Sequence, residues 1–366
     1  MKQGWKTCKF ADVFDLQMGK TPSRDNPTYW GDDNMWVSIA DMNEQKYMSA
    51  TKEGITDIAV RESGIKPIPQ GTVIMSFKLS IGKVSIATSK LYTNEAIMGF
   101  IEKEKGTLVP EYLYYYLKGY KWEGANKAAM GMTLNKKTIA ENTISYPPIA
   151  EQEKIVAELD CLSGIIEKKK QQLKELDNLA QSVFYEMFGD PVENDKGWEV
   201  KKFGDVCSLK AGKAIKANEL SDVASDNLYP CFGGNGLRGY IKKVSHHNQY
   251  PIIGRQGALC GNVVLSTKEF YATEHAVVVQ PVVEMNIYWS YYTLMYMNLN
   301  RLAQGVAQPG LSVGRVNQEN FILPPLTLQQ DFASKIESIE KQKELIARSI
   351  KETETLFNSR MDYYFN

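Results

Sequence analysis

The sequence contains few residues of the types that bind metals or form disulfides. Its 366 residues include five cysteines and three histidines, and no two cysteines are spaced as Cys-x-x-Cys. An odd number of cysteines without paired spacing predicts neither a disulfide framework nor a zinc site. We therefore expect reduced cysteines that pack in the interior. We expect no metal site and no cofactor bound by this chain.

Long hydrophobic runs are also absent. No stretch approaches the ~18 consecutive apolar residues of a membrane span, and the first residues lack the apolar segment of a signal peptide. The sequence therefore predicts a cytoplasmic protein with no membrane partner. With 43% hydrophobic and 23% charged residues, a chain of this length can form two globular domains with connecting elements.

Net charge is absent as well, since 43 basic residues balance 43 acidic ones. A nucleic-acid-binding protein is usually basic, so neutrality counts against that function unless the charges are segregated. They are segregated: residues 65–94 contain four lysines and no acid, and residues 227–268 contain five basic residues and no acid. This pattern indicates a protein that binds phosphate with only part of its surface.

The chain is built from two copies of one unit. The segment Gly4–Val13 returns as Gly197–Val206, and both copies keep the pattern Gly-Trp-x-x-x-x-Phe-x-Asp-Val. A middle segment at Tyr92 returns at Tyr271, and the segment 134–149 returns as 311–326. Three blocks that recur in the same order indicate an internal duplication.

Each copy ends in Pro-Pro followed by a long helical pattern. Proline stops the preceding element, and the apolar residues that follow step alternately by four and three, as in a coiled coil. We expect helices of roughly 36 residues, or ~54 Å, that pair antiparallel; packing of each helix on its own domain is the alternative. The first series is Ile155, Leu159, Leu162, Ile166, Lys169, Leu173, Leu176, Ala180, Val183 and Met187, and the second is Phe332, Ile336, Ile339, Lys343, Ile346, Ile350, Thr353, Phe357, Arg360 and Tyr364.

Before each long helix, short β-branched runs separated by Gly, Pro and Asn predict twisted strands with one helix per copy, over 110–119 and 286–303. The predicted fold class is therefore α+β, with two duplicated mixed α/β domains, each followed by a long helix. The two helices are expected to pair as an antiparallel coiled coil with pseudo-two-fold symmetry. The expected boundaries are residues 1–148 and 191–325 for the domains, and 149–190 and 326–366 for the helices.

Several fragments imitate catalytic motifs. Gly234–Gly239 matches G-x-G-x-x-G, but no acid follows until Glu269, whereas a dinucleotide site needs one about 20 residues on. Gly19-Lys20-Thr21 ends like a P-loop, but Phe14 occupies the place of the first glycine. The overlapping Phe232–Gly236 lacks the Asn/Asp-Pro-Pro-aromatic partner of an S-adenosylmethionine enzyme. We therefore predict no catalytic residue, and interpret the glycines as turns that allow close approach to a ligand.

These blocks together resemble the specificity subunits of Type I restriction–modification systems. The resemblance rests on Gly-Trp-x-x-x-x-Phe-x-Asp-Val at the start of each copy and on Pro-Pro-(Ile/Leu)-x-x-Gln-(Glu/Gln) before each long helix, and it covers the whole chain. Supporting segments are 19–23, 29–31 and 36–41 in the first copy, and 229–236 and 253–257 in the second.

The resemblance implies a function that composition could not show. Each domain would be a target-recognition domain for one half of a bipartite site in double-stranded DNA, and the helices would set the spacing. Two modification subunits would carry S-adenosylmethionine and methylate adenine at N6, and restriction subunits would add cleavage that depends on ATP and Mg²⁺. The chain itself would be a non-catalytic specificity subunit.

The candidate DNA-binding residues are polar or basic side chains in glycine-rich loops, suited to phosphate and base-edge contacts. In the first domain they are Lys20, Ser23, Arg24, Lys78, Ser80, Lys83, Asn135 and Lys136, and in the second Lys213, Lys216, Asn235, Arg238, Arg255, Gln256, Gln308, Ser312 and Arg315.

Two alternatives stay open at this point. A recognition subunit of a related system that cuts on both sides of a bipartite site would have the same pattern. A coiled-coil scaffold without DNA affinity is the second alternative, against which the two diverged, loop-rich domains and the segregated lysines count.

Overall fold

The computed structural model describes residues 4–43, 45–78, 80–122, 126–128, 131–257, 259–305 and 309–365, with residues 126–128 and 131–133 described by their backbone. The chain divides into two compact units: Met1–Lys169 with Ser349–Asn366, and Lys170–Arg348. Each of the two long helices contributes one part to each unit. No helix in the described ranges is long and apolar enough to span a membrane.

The first unit contains twelve strands among its described residues, with four short helices and the first part of a long one. In chain order these are β1 (Lys6–Lys9), α1 (Phe10–Val13), β2 (Phe14–Met18), a 3₁₀ turn (Pro27–Tyr29), β3 (Trp30–Val37), β4 (Tyr47–Met48), β5 (Glu53–Ile55), α2 (Asp57–Ser63), β6 (Val73–Ser76), β7 (Val84–Ala87), β8 (Tyr92–Thr93), β9 (Ile97–Glu102), α3 (Pro110–Gly119), β10 (Asn126–Ala128), β11 (Gly131–Thr133), α4 (Lys136–Glu141), β12 (Thr143–Tyr146) and α5 (Ile149–Phe188).

The strands of the first unit form a five-stranded sheet, β2-β9-β6-β7-β4, and a three-stranded sheet, β5-β3-β8, together with the pairs β1-β12 and β10-β11. In the larger sheet the strands β2, β9, β6 and β7 pair antiparallel, and β4 covers the outer edge of β7 as a parallel strand. All four residues of β6 and of β7 are buried, as expected for the β-branched runs of the sequence.

The second unit repeats this order. Its elements are the second part of α5, β13 (Val200–Lys202), α6 (Phe203–Val206), β14 (Cys207–Ala211), a 3₁₀ turn (Ala217–Glu219), β15 (Tyr229–Gly233), β16 (Gly236–Ile241), β17 (Pro251–Gly254), β18 (Val263–Leu265), β19 (Tyr271–Ala272), β20 (Ala276–Pro281), α7 (Ile287–Tyr296), a 3₁₀ turn (Leu299–Leu302), α8 (Val313–Asn317), β21 (Asn320–Ile322) and α9 (Leu326–Phe365), whose last part belongs to the first unit.

The sheets of the second unit, β14-β20-β17-β18 and β16-β15-β19, match those of the first strand by strand, and β13 pairs with β21 as β1 pairs with β12. The match extends to individual backbone hydrogen bonds. The backbone N–H of Gly19 donates to Ile97 at 3.3 Å, and that of Gly212 donates to Ala276 at 3.1 Å. The duplication predicted from sequence is therefore a duplication of topology. No described strand of the second unit corresponds to β4.

One helical prediction needed correction. The stretch 110–119 is a helix with the predicted bounds, but 286–303 is not continuous: α7 ends at Tyr296 and a 3₁₀ turn follows. Between them Asn298 has a φ of 48°, in the left-handed region that asparagine tolerates better than most residues. A single left-handed residue breaks the hydrogen-bond series of an α-helix.

The interior packing predicted for the cysteines holds for Cys207, Cys231 and Cys260, which are buried, whereas Cys8 is half-buried. Burial raises the pKa of the Cys207 thiol to about 12, so this group stays protonated. Cys161 departs from the prediction, because it lies exposed on α5.

The glutamine of the Pro-Pro motif ties each long helix to its domain. Gln152 is fully buried; its Oε1 accepts from the backbone N–H of Val109 at 2.8 Å, and its Nε2 donates to the carbonyls of Thr107 and Pro147. In the second unit, Gln329 bridges Asn286 and Pro324 in the same way. These bonds pair buried backbone groups that have no partner in a strand or helix.

In the first unit, the two long helices run antiparallel. Glu158 of α5 accepts from the guanidinium of Arg360 at 2.9 Å, and Lys169, eleven residues further along α5, donates to the hydroxyl of Ser349 at 2.6 Å. As the residue number rises on α5 it falls on α9, which defines the direction. Each helix has 40 residues, slightly more than expected, and is therefore ~60 Å long.

The parts of the helices in the second unit also run antiparallel. Lys343 of α9 forms ion pairs with Asp177 at 2.7 Å and with Glu340 at 2.9 Å, whereas the rings of Phe184 and Phe332 lie 5.6 Å apart. None of the twenty predicted seam positions is exposed. The antiparallel coiled-coil pairing is therefore confirmed in each unit.

Candidate nucleic-acid interface

Several loops of the first unit meet at one end of its larger sheet. Strands β2 and β6 end there, and β7 and β9 begin there, because neighbouring strands are antiparallel. Backbone bonds join the loops: Lys20 donates to Thr93 at 2.8 Å, Phe77 to Ala96 at 2.9 Å, and Leu134 to Phe77 at 2.9 Å. Segments far apart in sequence therefore form one surface, which we call the first loop surface (residues 19–21, 77–78, 80–83, 94–96 and 134–136).

Six of the predicted residues lie on this first loop surface. Lys20 and Ser80 are exposed, whereas Lys78 and Lys83 are half-buried. The Lys20 ammonium donates to the carbonyl of Ser63 at 2.6 Å, and that of Lys83 to the carbonyl of Ile39 at 3.3 Å. These lysines are held over the surface by backbone carbonyls, which leave their positive charge uncancelled.

Asn135 and Lys136 complete the first loop surface at the start of α4. The side-chain oxygen of Asn135 accepts from the backbone N–H of Thr138 at 2.8 Å, so this residue caps the helix. Lys136, the first residue of the helix, is exposed. The sequence predicted both as ligand contacts, and the structure adds a folding role for the asparagine.

Ser23 and Arg24 are placed differently from the other six. The Arg24 guanidinium forms a bidentate pair with Glu53, with bonds of 2.6 and 2.8 Å, and lies 3.7 Å from the ring centroid of Trp30. The carbonyl of Ser23 accepts from the Trp30 indole at 3.2 Å. Both residues are exposed, but the arginine is neutralised beside the smaller sheet.

The second unit brings the corresponding segments together by the same bonds. The backbone N–H of Arg255 donates to His275 at 2.9 Å, that of Leu311 to Arg255 at 2.8 Å, and that of Lys213 to Ala272 at 3.1 Å. We call residues 212–214, 233–238, 255–257, 273–275 and 310–312 the second loop surface. The exposed predicted residues on it are Lys213, Asn235, Arg238, Arg255, Gln256 and Ser312.

Asn235 and Arg238 border a cavity of about 370 Å³ in the second loop surface. Its remaining wall consists of Leu237, the glycines of the β15–β16 hairpin and the segment Thr273-Glu274-His275. The tight turn of this hairpin, in which Gly233 pairs with Gly236, requires a φ of 93° at Gly236, a conformation that favours glycine.

The other predicted residues of the second unit lie apart from this cavity or outside the described ranges. Lys216 is exposed and precedes a 3₁₀ turn. Arg315 is exposed on α8, and its guanidinium donates to the carbonyl of Leu302 at 3.3 Å. Gln308 lies outside the described residues.

Gly19, which the sequence suggested for close approach to a ligand, and its counterpart Gly212 in the second unit instead pack against the protein. A Cβ added to Gly19 would lie 2.0 Å from the carbonyl oxygen of Thr93, and one added to Gly212 would lie 1.9 Å from that of Ala272. Both positions therefore require glycine for the fold. Both glycines are followed by a lysine, Lys20 or Lys213, and this contact fixes the backbone from which that lysine extends.

The sequence reasoning missed one pair of carboxylates. Glu95 and Glu274 occupy equivalent places, each just before the strand that follows Tyr92 or Tyr271. The Thr21 hydroxyl donates to Glu95 and, with the nearby Lys78 ammonium, helps to hold its pKa below the usual value. Glu274 Oε2 is buried and has no hydrogen-bond partner in the part of the chain that the structure describes. The recurring Tyr-x-x-Glu was the available signal.

Comparisons with known proteins agree with this architecture. The model of the Type I restriction modification DNA specificity domain matches residues 2–178 and again residues 195–355. The chain is 31% identical to the Type I restriction enzyme EcoprrI specificity subunit of Escherichia coli, over 87% of this chain and 83% of that protein. It is 27% identical to the MjaIX specificity subunit of Methanocaldococcus jannaschii, over 92% and 86% of the two chains.

Solved structures share the fold. The S subunit of a Type I restriction–modification system from M. genitalium aligns with a TM-score of 0.61 at 14% identity, over 98% of this chain and 95% of that one. The two matches to the family model together cover most of the 366 residues. This chain therefore belongs to the family of Type I restriction–modification DNA specificity subunits.

Proposed function

We propose that the chain recognises a bipartite site in double-stranded DNA, with each repeat binding one half. The observation that carries this proposal is the recurrence of one loop surface in two topologically equivalent repeats. Glycine-constrained loops hold lysine, arginine, asparagine and glutamine side chains at the same end of each sheet. These side chains are suited to contact phosphates and to discriminate base edges in the major groove.

The long helices are proposed to set the number of base pairs between the two half-sites. They also offer a platform for two modification subunits. In this proposal those subunits carry S-adenosylmethionine and methylate adenine at N6, and restriction subunits supply cleavage that depends on ATP and Mg²⁺. The specificity subunit directs both reactions and contributes no catalytic group.

An exchange of repeats tests the proposal most directly. Residues 4–146 are replaced by the corresponding residues of a relative with a known target, and the methylated sites are sequenced in cells that carry the modification subunits. We expect a new first half-site with the second half-site and the spacing unchanged. A change in both half-sites, or in neither, would contradict separate recognition by the two repeats.

Deletion of four residues from α5 and the matching four from α9 supplies a second readout. The helical pairing is preserved because both partners lose one step of the seam. We expect a different spacing between two unaltered half-sites. If the spacing between the half-sites does not change, the helices do not set it, and this part of the proposal is wrong.

Phosphate contacts are tested through salt dependence. Each contact contributes about −0.9 to the slope of log affinity against log salt, so replacing both Lys78 and Lys83 with alanine should reduce the slope of the assembled complex by about two units. Glu104→Gln, at an exposed site beyond the opposite end of β9, is the charge control. An unchanged slope in the double variant would place both lysines away from phosphate.

A further inference from the structure

The carboxylate of Glu274 lacks a bond that its counterpart in the first repeat makes. Glu95 accepts a hydrogen bond from the Thr21 hydroxyl. Thr21 follows Gly19 by two residues, and Ala214 follows Gly212, the equivalent glycine, by two residues. Ala214 is therefore the counterpart of Thr21. Alanine therefore replaces the hydroxyl donor in the second repeat.

The surroundings of Glu274 do not replace this donor. Its Oε1 lies 3.4 Å from Nε2 of His275, but its Oε2 is buried and has no partner among the described residues. The neighbouring Thr273 hydroxyl is also buried without a partner. The Glu274 side chain as a whole is 39% exposed, so the carboxylate reaches the protein surface, and a ligand that brings a donor would supply the hydrogen bond that the protein does not.

The cavity beside Glu274 indicates the kind of donor. It has a volume of about 370 Å³, and Asn235, Arg238 and Glu274 are among the residues that border it. It lies on the second loop surface, among the residues proposed to contact DNA. A carboxylate accepts from an exocyclic amino group, which in the major groove is N4 of cytosine or N6 of adenine.

We propose that Glu274 reads an exocyclic amino group of a base in the second half-site, and that the replacement of threonine by alanine at position 214 keeps this carboxylate available. The inference rests on the proposed DNA-binding function. In the first repeat the same carboxylate is bonded within the protein. The two repeats thus use one scaffold position differently.

The test compares Glu274→Gln and Ala214→Thr with the wild-type chain in the complex with modification subunits. Binding is measured on duplexes in which every position of both half-sites is varied. Glu274→Gln should reduce discrimination about tenfold at one base pair of the second half-site, in line with the worth of a base contact. Ala214→Thr should reduce it at the same base pair, because its hydroxyl competes for the carboxylate.

The control is Glu284→Gln, which makes the same charge change at an exposed site of the second unit beyond the opposite end of β20. It should leave both half-sites unchanged. Substituting cytosine or adenine at the affected position identifies which amino group is read. Thermal unfolding shows whether each variant is folded; if Glu274→Gln is not, Ala214→Thr carries the test.

Unaltered base preference in folded variants, with specific binding by the wild-type complex intact, would overturn this inference and leave the proposed function standing. Equal loss of discrimination at every position would also overturn it, because that result indicates a general electrostatic effect. Absence of specific binding by the wild-type complex would instead contradict the proposed function itself.

Discussion

The two repeats share their backbone contacts and differ in their loops. Both hold a glycine against the strand before the loop surface, at Gly19 and Gly212, and both tie a long helix to the domain through a buried glutamine. By contrast, the first repeat has the edge strand β4 and the pair β10-β11, whereas in the second the counterparts of β3 and β5 are joined by a tight turn as the hairpin β15–β16, which borders a cavity.

This difference separates the scaffold from the recognition surface. A contact between a glycine and a carbonyl, or between a glutamine and buried backbone groups, tolerates no other side chain without loss of packing or of a hydrogen bond. The other exposed positions of the loop surfaces lack contacts of this kind. One fold can therefore present two different sets of polar side chains.

The largest expected effect of a single substitution comes from the buried glutamines. Gln329→Leu leaves the N–H of Asn286 and the carbonyl of Pro324 without partners, and each unpaired buried group costs about 1–3 kcal/mol. We expect a loss of about 2–6 kcal/mol in the free energy of unfolding of the second unit. Hydrogen exchange of the first turn of α7 measures it.

Gln152→Leu is the corresponding variant in the first unit. It leaves three backbone groups unpaired, whereas Gln329→Leu leaves two. Its cost should be larger, and the increase in exchange should be confined to the start of α3. Equal exchange in both units for either variant would indicate that the glutamines do not act locally.

The glycine contacts should give the next largest effect. A methyl group at position 212 or 19 must displace the strand whose carbonyl lies 1.9 or 2.0 Å from it, and overpacking of this kind costs about 1–3 kcal/mol. Gly212→Ala and Gly19→Ala should lose similar stability in urea denaturation. Gly314→Ala, where the added Cβ would lie 3.7 Å from its nearest neighbour, is the control and should change little.

The polar positions of the helix seam should respond unequally. Lys343 neutralises Asp177 and Glu340, whereas Lys169 donates to the hydroxyls of Ser349 and Thr353. Lys343→Ile should destabilise the chain by about 1 kcal/mol, since two partly exposed carboxylates lose their cation. Lys169→Ile should be neutral or stabilising, because isoleucine adds apolar burial. Thermal unfolding of both variants measures the difference. A larger loss of stability for Lys169→Ile than for Lys343→Ile would contradict this expectation.

The smallest effect is expected for the ion pair between Arg24 and Glu53, which holds Arg24 beside the smaller sheet and away from the first loop surface. Its hydrogen bonds hold the pKa of Glu53 below the usual value, so the pair stabilises the fold above the ordinary pKa of glutamate and this contribution is lost as pH falls through the folded-state pKa. The side chains are 53% and 47% exposed, and Arg24→Ala should therefore cost less than about 1 kcal/mol near neutral pH.

The pH dependence checks the sign. The difference in stability between Arg24→Ala and the wild-type chain should vanish in acid, where Glu53 is protonated in both. An NMR titration should also show the pKa of Glu53 rising toward its usual value in the variant. A difference that persists in acid would assign the effect to lost packing on Trp30.

The sequence by itself determined the duplication, the start of each long helix after Pro148 and Pro325, and the residues of the seam. The last two follow from local physics: proline ends an element, and a step of four and three residues places apolar side chains on one helix face. The antiparallel direction was an expectation from the two-fold repeat, and the contacts between the helices confirm it in each unit. The candidate loops were also predictable, because glycine-rich polar segments between strands lie at the ends of a sheet.

Only the tertiary structure decided which loop side chains are free to contact a ligand and which are bonded within the protein. Arg24 is bonded to Glu53, 29 residues away, and Thr21 to Glu95, 74 residues away. Asn135 caps a helix, and Gly19 packs against a strand that follows it by more than 70 residues. Hydrogen bonds between residues so far apart leave no periodic signal in the sequence, since they depend on which strands become neighbours and on side-chain geometry within a few tenths of an ångström.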